Sequence, residues 1–189
     1  LTGNTGIDTL MQISKNIQVE QKKQVLVTLH RRESLGKPLR NILKGIKLFL
    51  DKFPDWNIIF PVHPNPLVKD TVREVLGKSH QAILREPVNY ETMITLMKES
   101  CFILTDSGGI QEEAPSLNKP VLVARETTER PEGIGIGVAL LVGTDTNVIY
   151  NNLCELAQQG ELYISMINKH NPYGDGHASE KIVDYLLKI

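Results

Sequence analysis

Hydrophobic residues along the chain follow two patterns, which together predict alternating strands and helices. Short apolar runs, of which Val25-Leu26-Val27 is typical, predict buried parallel strands at 25–29, 57–62, 82–84, 102–105, 120–124 and 139–142. Apolar residues at helical spacing predict helices at 39–53, 67–76, 90–98, 147–158, 163–168 and 179–189. Pro38 suits the first turn of the first of these helices, and Asn118 suits a helix C-cap.

This alternation predicts an α/β fold, a Rossmann-like doubly wound parallel sheet with helices on both faces. Such sheets bind ligands beyond the carboxyl ends of their strands. Polar residues follow those strand ends: His30, Arg31 and Arg32 after the first strand, His63 after the second, residues 86–89 after the third, Ser107 after the fourth and residues 125–130 after the fifth. Although loops are usually polar, this repetition predicts a ligand site along one rim of the sheet.

Length and composition limit the classes of protein to consider. The chain has 189 residues, 41% of them hydrophobic, and this predicts a single domain over residues 1–189. Its net charge of −1 gives no argument for a nucleic-acid or membrane partner. Cys101 and Cys154 lack a CxxC or Cys/His spacing, so we expect buried free thiols and a reducing cytoplasm. No set of residues recurs at metal-ligand spacing, and no metal site is predicted.

The run TDSGGIQEEAPSLNKP at 105–120 carries the clearest chemical signal. It predicts a strand, a turn at Ser107-Gly108-Gly109 and the start of a helix. Glycines allow a ligand to approach the backbone closely, and the free N–H groups of a first helical turn attract anions, so a diphosphate would fit there. Glu113 falls about one turn into the helix, within reach of a ribose. The simpler interpretation is an ordinary βα turn with an N-cap serine.

The longer run DSGGIQEEAPSLNKPVLVARETTERPE resembles the signature of the non-hydrolysing UDP-N-acetylglucosamine 2-epimerases. Four further segments match that family in order: LTGNTGIDTL, VTLHRRES, FPVHPNP and NPYGDGHAS. Family members are about twice as long and have two Rossmann-like halves in the GT-B arrangement. The resemblance therefore implies the C-terminal domain of a GT-B enzyme. Residues 1–20 would be a linker and helix entering from a missing N-terminal domain, and residues 178–189 a terminal helix.

The resemblance also implies site residues. His30 would line the cleft as the catalytic residue of this half, and Arg130 would reach the sugar nucleotide. The other implied UDP-binding residues are Val88 and Met93 around the uracil, Ser107, Gly108 and Gly109 at the diphosphate, and Glu113 at the ribose. His63 and Tyr173 would have structural roles.

Each of these positions also has a simpler interpretation. His30 could begin a solvated loop with an N-cap at Ser34, Arg130 could lie on a surface turn, and Val88 and Met93 could be plain core. The chain departs from the family in two places. Leu29 replaces a common glycine before the histidine, and the glycine-rich segment 132–137 predicts a mobile loop.

The activity that the resemblance implies is interconversion of UDP-N-acetylglucosamine and UDP-N-acetylmannosamine. UDP is eliminated across C1–C2 and then added back with inversion at C2, without a cofactor or metal. The implied partners are UDP and the UDP-sugar, the missing domain and a second copy in a cytoplasmic homodimer. Two alternatives remain open: a hydrolysing UDP-sugar epimerase or GT-B glycosyltransferase, and a non-catalytic nucleotide-binding fragment.

Overall fold

The computed structural model describes residues 1–188 and contains one parallel sheet of six strands. The strands are β1 (Gln24–Thr28), β2 (Asn57–Pro61), β3 (Ala82–Arg85), β4 (Phe102–Thr105), β5 (Val121–Val123) and β6 (Ala139–Leu141). Their order is β3-β2-β1-β4-β5-β6, and every neighbouring pair is parallel. This order confirms the predicted Rossmann-like doubly wound sheet.

Nine helices occur among the described residues, in addition to short 3₁₀ turns at Arg32–Ser34 and Ala114–Leu117. They are α1 (Thr5–Ser14), α2 (Lys37–Lys52), α3 (Pro66–Leu76), α4 (Tyr90–Glu99), α5 (Gly108–Glu113), α6 (Pro131–Ile136), α7 (Thr146–Ala157), α8 (Glu161–Ile167) and α9 (Ala178–Leu186). The predicted terminal helix thus corresponds to α9, and Ile189 lies outside the described residues.

Hydrophobic cores cover both faces of the sheet. Val25 and Val27 of β1 belong to one core, which includes the inner faces of α2, α3 and α7, whereas Leu26 belongs to the opposite core with residues of α4. The side chains of a strand alternate between faces, so a central strand that is buried on both sides reads as a continuous apolar run. This explains why the strand positions could be predicted from the sequence to within one or two residues.

Asn118 has a left-handed backbone and ends the Ala114–Leu117 turn, which confirms the predicted cap. The prediction of a mobile loop at 132–137 is wrong, because residues 132–136 belong to α6 and Gly137 caps it. Ser34 is not the N-cap that the simpler interpretation of His30 would require, since α2 begins after Gly36, whose φ of 76° suits glycine. Leu29 follows β1 as a buried core residue.

Candidate functional site

The strand order reverses between β1 and β4, and their carboxyl ends lie side by side. Thr28 and Thr105, the last residues of the two strands, are in register, and their hydroxyl groups are 2.6 Å apart. The chain leaves both strands at this point, so the segments that begin with Leu29 and Asp106 are neighbours. A crevice at such a reversal is the usual ligand site of an open α/β sheet.

Asp106 connects these two segments, although no role was predicted for it from the sequence. Its carboxylate is fully buried and accepts hydrogen bonds from the backbone N–H of His30 (3.0 and 3.1 Å) and of Arg31 (2.9 Å). Its Oδ1 also lies 3.1 Å from Nδ1 of His30. Burial acts to raise the pKa of Asp106, but the hydrogen bonds from His30 and Arg31 outweigh it and hold the pKa below its usual value.

Gly108 and Gly109 begin α5, but their backbone conformation does not require glycine. Gly108 is the first residue of the helix, and neither Gly108 nor Gly109 has a positive φ. A Cβ built on Gly108 would lie 3.6 Å from Nη2 of Arg31 and 3.6 Å from Nη2 of Arg130. Ser107 occupies the N-cap position, but its side chain makes no capping hydrogen bond. Two guanidinium groups and the first turn of α5 therefore lie around the same small space. Their positive charge would attract an anion.

Arg130 is held by Glu112 in α5, by its neighbour Glu129 and by Tyr173. Its Nε donates to Oε1 of Glu112, and its Nη1 donates to the carbonyl oxygen of Glu129 (3.2 Å). The hydroxyl of Tyr173 donates to the carbonyl oxygen of Arg130 (3.0 Å) and accepts from the N–H of Gly133 (2.9 Å). These contacts fix the side chain and the backbone of Arg130 beside Gly108. Glu112 lies within the run 105–120, but no role was predicted for it from the sequence.

A second arginine joins the loops that follow β1 and β5. Arg125 is 4% exposed and donates to Glu33 (2.7 Å) and, through two nitrogens, to Glu129 (2.6 and 2.9 Å). The hydrogen bond from Arg125 lowers the pKa of Glu129 to about 2. A fork of this kind is rigid as well as strong. The network stabilises the loop residues that precede Arg130.

A cleft of about 240 Å³ opens beside the ends of β1 and β4. Among the predicted site residues, the cleft wall includes His30, Val88, Met93 and Ser107. Its other lining residues are Thr28, Leu29, Pro61, His63, Pro64, Pro87 and Ile110. The rings of His30 and His63 are nearly parallel, with centroids 6.0 Å apart. Gly108, Gly109, Glu113 and Arg130 do not line this cleft and lie along or against the neighbouring helix α5.

Glu113 at the end of α5 contacts the first residue of α4. The hydroxyl of Tyr90 donates to Oε1 of Glu113 over 3.1 Å. Burial raises the pKa of Glu113, and the negative charge of Glu112 adds to the rise, while the hydrogen bond from Tyr90 opposes it. Because Tyr90 follows Val88 and precedes Met93 by only a few residues, this contact joins α5 to the apolar side of the cleft.

In the part of the chain that the structure describes, no group of three His, Cys, Asp or Glu side chains is placed to hold a metal ion. No helix within residues 1–188 has the length and apolar character that crossing a bilayer requires. Cys101 and Cys154 are buried free thiols, as predicted.

Comparisons with known proteins agree over nearly the whole chain. Residues 1–187 match the family model described as UDP-N-acetylglucosamine 2-epimerase. The UDP-N-acetylglucosamine 2-epimerase of Bacillus subtilis (strain 168) is 44% identical over 194 residues, which cover 99% of this chain and 51% of that protein. The chain therefore spans about half the length of the curated relatives it matches.

Solved structures show the same relationship. The crystal structure of UDP-GlcNAc 2-epimerase from Neisseria meningitidis bound to UDP-GlcNAc has a TM-score of 0.90 and 42% identity. The S. aureus MnaA structure with UDP has a TM-score of 0.93 and 43% identity. Each match covers 100% of this chain and 55% of the other.

Proposed function

Because the chain belongs to the UDP-N-acetylglucosamine 2-epimerase family, we propose that it is the UDP-binding half of a two-domain GT-B enzyme. The proposed reaction is the interconversion of UDP-N-acetylglucosamine and UDP-N-acetylmannosamine. The observation that carries the proposal is the pair of guanidinium groups that flank Gly108 at the start of α5, beside the cleft. The UDP-GlcNAc and the UDP bound in the two solved relatives support the same ligand class.

The diphosphate would lie against the start of α5. The first N–H groups of a helix have no partner within the helix, so those of Gly108 and Gly109 are available to phosphate oxygens. The Ser107 hydroxyl makes no capping bond and can donate as well. Arg130 adds a charged donor whose Nη2 faces Gly108, and Glu112 fixes its orientation by binding Nε. This arrangement would stabilise the negative charge that develops as UDP leaves the sugar.

The uridine would extend from the diphosphate along α5 and α4. Val88 and Met93 provide apolar surface in the cleft for the uracil. Glu113 would accept hydrogen bonds from the ribose hydroxyls through the oxygen that Tyr90 leaves free. A nucleotide in this position would contact both sides of the reversal point in the sheet.

His30 would act at the sugar end of the ligand. Its side chain lines the cleft and is anchored by Asp106 at the end of β4. Elimination breaks the C1–O bond to UDP and removes the C2 proton, and re-addition of UDP restores the bond with inversion at C2. We place the carboxylates that move the C2 proton in the part of the relatives' length that this chain does not span. His30 would contribute a donor or acceptor to the departing UDP.

The other partners and the compartment are part of the same proposal. The two unpaired buried thiols support a reducing cytoplasm. No NAD or metal takes part in the proposed reaction. The homodimer implied by the resemblance stays a prediction, and the missing N-terminal domain is the other proposed partner.

The test combines binding to this chain with product analysis on the full-length protein. Calorimetry should show UDP binding to the chain and much weaker binding of uridine, which lacks the diphosphate. The full-length protein should convert UDP-N-acetylglucosamine to UDP-N-acetylmannosamine without a stoichiometric release of UDP. Release of one UDP per sugar would favour the hydrolysing alternative, and failure to bind UDP would overturn the proposal.

A further inference from the structure

The buried carboxylate of Asp106 faces the Nδ1 atom of His30. The backbone N–H groups of His30 and Arg31 donate to this carboxylate, and its Oδ1 lies 3.1 Å from Nδ1 of the imidazole. The pKa of Asp106 is below its usual value, so the group is ionised at neutral pH. An ionised carboxylate only accepts hydrogen bonds. The nitrogen of His30 that faces it must therefore carry a proton.

We propose that Asp106 is a positioning residue that holds His30 with its proton on Nδ1 and leaves Nε2 as the nitrogen available to a ligand in the cleft. The same carboxylate holds the backbone of His30 and Arg31, so one group fixes both the ring and the loop that carries it. Nε2 then accepts a hydrogen bond when the imidazole is neutral and donates one when it is protonated. Either state preserves the contact between Nδ1 and Asp106.

The other ring near His30 does not compete for this nitrogen. His63 stacks on His30 at a centroid distance of 6.0 Å and an interplanar angle of 20°, so it meets the face of the ring. Its own Nδ1 accepts from the N–H of Asn65 over 3.2 Å. The position of the His30 proton is therefore set by Asp106. The catalytic consequence rests on the proposed function, whereas the proton position can be measured without it.

Nitrogen NMR of the chain labelled with ¹⁵N-histidine tests the proposal. At a pH of about 8.5, two units above the ordinary histidine pKa, most imidazoles are neutral and the two nitrogens are easily distinguished. Loss of one set of signals in His30→Gln assigns His30. We expect Nδ1 of His30 to carry a proton in the unaltered chain. In Asp106→Asn the amide can still accept from the backbone, but its NH₂ group faces the ring, so Nδ1 should lose its proton and Nε2 gain it.

A matched control is available at the start of α7. Asp145 also accepts two backbone hydrogen bonds, from the N–H groups of Asn147 (2.8 Å) and Val148 (3.1 Å). Asp145→Asn should leave the His30 signals unchanged. An unprotonated Nδ1 in the unaltered chain, or a protonated Nδ1 that persists in Asp106→Asn, would overturn the proposal. The first of these measurements decides the matter even if Asp106→Asn does not fold.

Kinetics of the full-length enzyme provide the second readout. General acid–base groups contribute about 10²–10⁴-fold to rate, so Asp106→Asn should lower kcat within that range and leave KM nearly unchanged. An unchanged kcat would overturn the catalytic part of the positioning role. A chain with the proton on Nδ1 that binds no UDP would contradict the proposed function and still support the role of Asp106 toward His30.

Discussion

Tyr90 donates a hydrogen bond from its hydroxyl to Oε1 of Glu113 over 3.1 Å, which joins the first residue of α4 to the last residue of α5. Burial and the charge of Glu113 raise the pKa of Tyr90 to about 12, so the hydroxyl remains a donor throughout the neutral range. One carboxylate oxygen of Glu113 is thus held in place and the other is left for a ligand.

Glu113→Ala should weaken UDP binding by roughly 10- to 100-fold, because a hydrogen bond to a charged group is worth about 1.5–3 kcal/mol. Binding of uracil or of pyrophosphate should change little, since neither contains the ribose. Calorimetry with the three ligands measures the difference. Glu74→Ala is a suitable control, because Glu74 pairs with Arg40 on the surface. Unchanged UDP affinity in Glu113→Ala would remove Glu113 from the site.

Arg130→Lys should lower UDP affinity by about 10-fold while uridine binding stays the same. Lysine offers a single charged nitrogen, so it cannot bind Glu112 and face Gly108 together as the guanidinium does. Titrations of UDP and uridine against the variant measure both effects.

The matched control for this substitution is Arg40→Lys. Arg40 also pairs with a glutamate, donating two hydrogen bonds to Glu74 (2.5 and 2.8 Å), and both side chains are exposed. Its replacement should leave UDP affinity unaffected. Equal losses for UDP and uridine in Arg130→Lys would show that Arg130 supports the loop and does not bind phosphate.

Lys119 should make stability depend on pH in the alkaline range. It is 7% exposed, and burial lowers its pKa from 10.5 to about 8. Because the folded pKa is the lower one, the unfolded chain binds more protons between these two values, and the free energy of unfolding rises with pH there. The contribution is at most about 1.4 kcal/mol per pH unit.

Urea denaturation of the unaltered chain and of Lys119→Met measures this contribution. The unfolding free energy of the unaltered chain minus that of Lys119→Met should increase as the pH rises from about 8 to 10.5. Other alkaline groups cancel in the difference. Parallel pH profiles would mean that Lys119 keeps an ordinary pKa.

The sequence predicted the elements better than it predicted the contacts between them. Apolar runs located the strands because parallel strands are buried on both faces. The glycine-rich segment 132–137 was misjudged because intrinsic propensity is a weak guide. Pro131 starts the helix, and the hydroxyl of Tyr173 binds the N–H of Gly133 from 40 residues away in sequence.

Contacts between residues far apart in the sequence also explain why two site residues were not predicted. Asp106 is separated from His30 by 76 residues, and their contact exists only because β1 and β4 are neighbours. The available signal was an acidic residue directly after a buried strand, but the order of the strands was not known from the sequence. Glu112 likewise acts through Arg130, 18 residues further along the chain. The roles of His30, Val88, Met93 and Glu113 remain predictions that the experiments above test.

This chain alone should bind UDP without epimerising the sugar. It spans about half the length of its relatives, and we place the proton-moving carboxylates in the other half. A coupled assay for UDP-N-acetylmannosamine should therefore detect no significant turnover. A rate in the usual enzyme range of about 1–10³ s⁻¹ would show that the described half contains the complete active site.

The central claim is that the space beside Gly108 receives a diphosphate, and Gly108→Val tests it most directly. Gly108 is buried, but its φ is not positive and a Cβ there would make ordinary contacts with Arg31 and Arg130, so we expect the variant to fold. Gly135 lies in α6 with open space around it, and Gly135→Ala is the control. UDP at 100 times its Kd adds about 2.7 kcal/mol of stability, which raises Tm by roughly 5–10 °C in a chain of this size.

The decisive measurement is the melting temperature of each variant with and without UDP. We predict that Gly108→Val melts close to the unaltered chain but shows no UDP-induced shift, whereas Gly135→Ala shows the full shift. A lower melting temperature in Gly108→Val together with the full UDP shift would contradict the account. It would mean that Gly108 matters only for folding and that the diphosphate binds elsewhere.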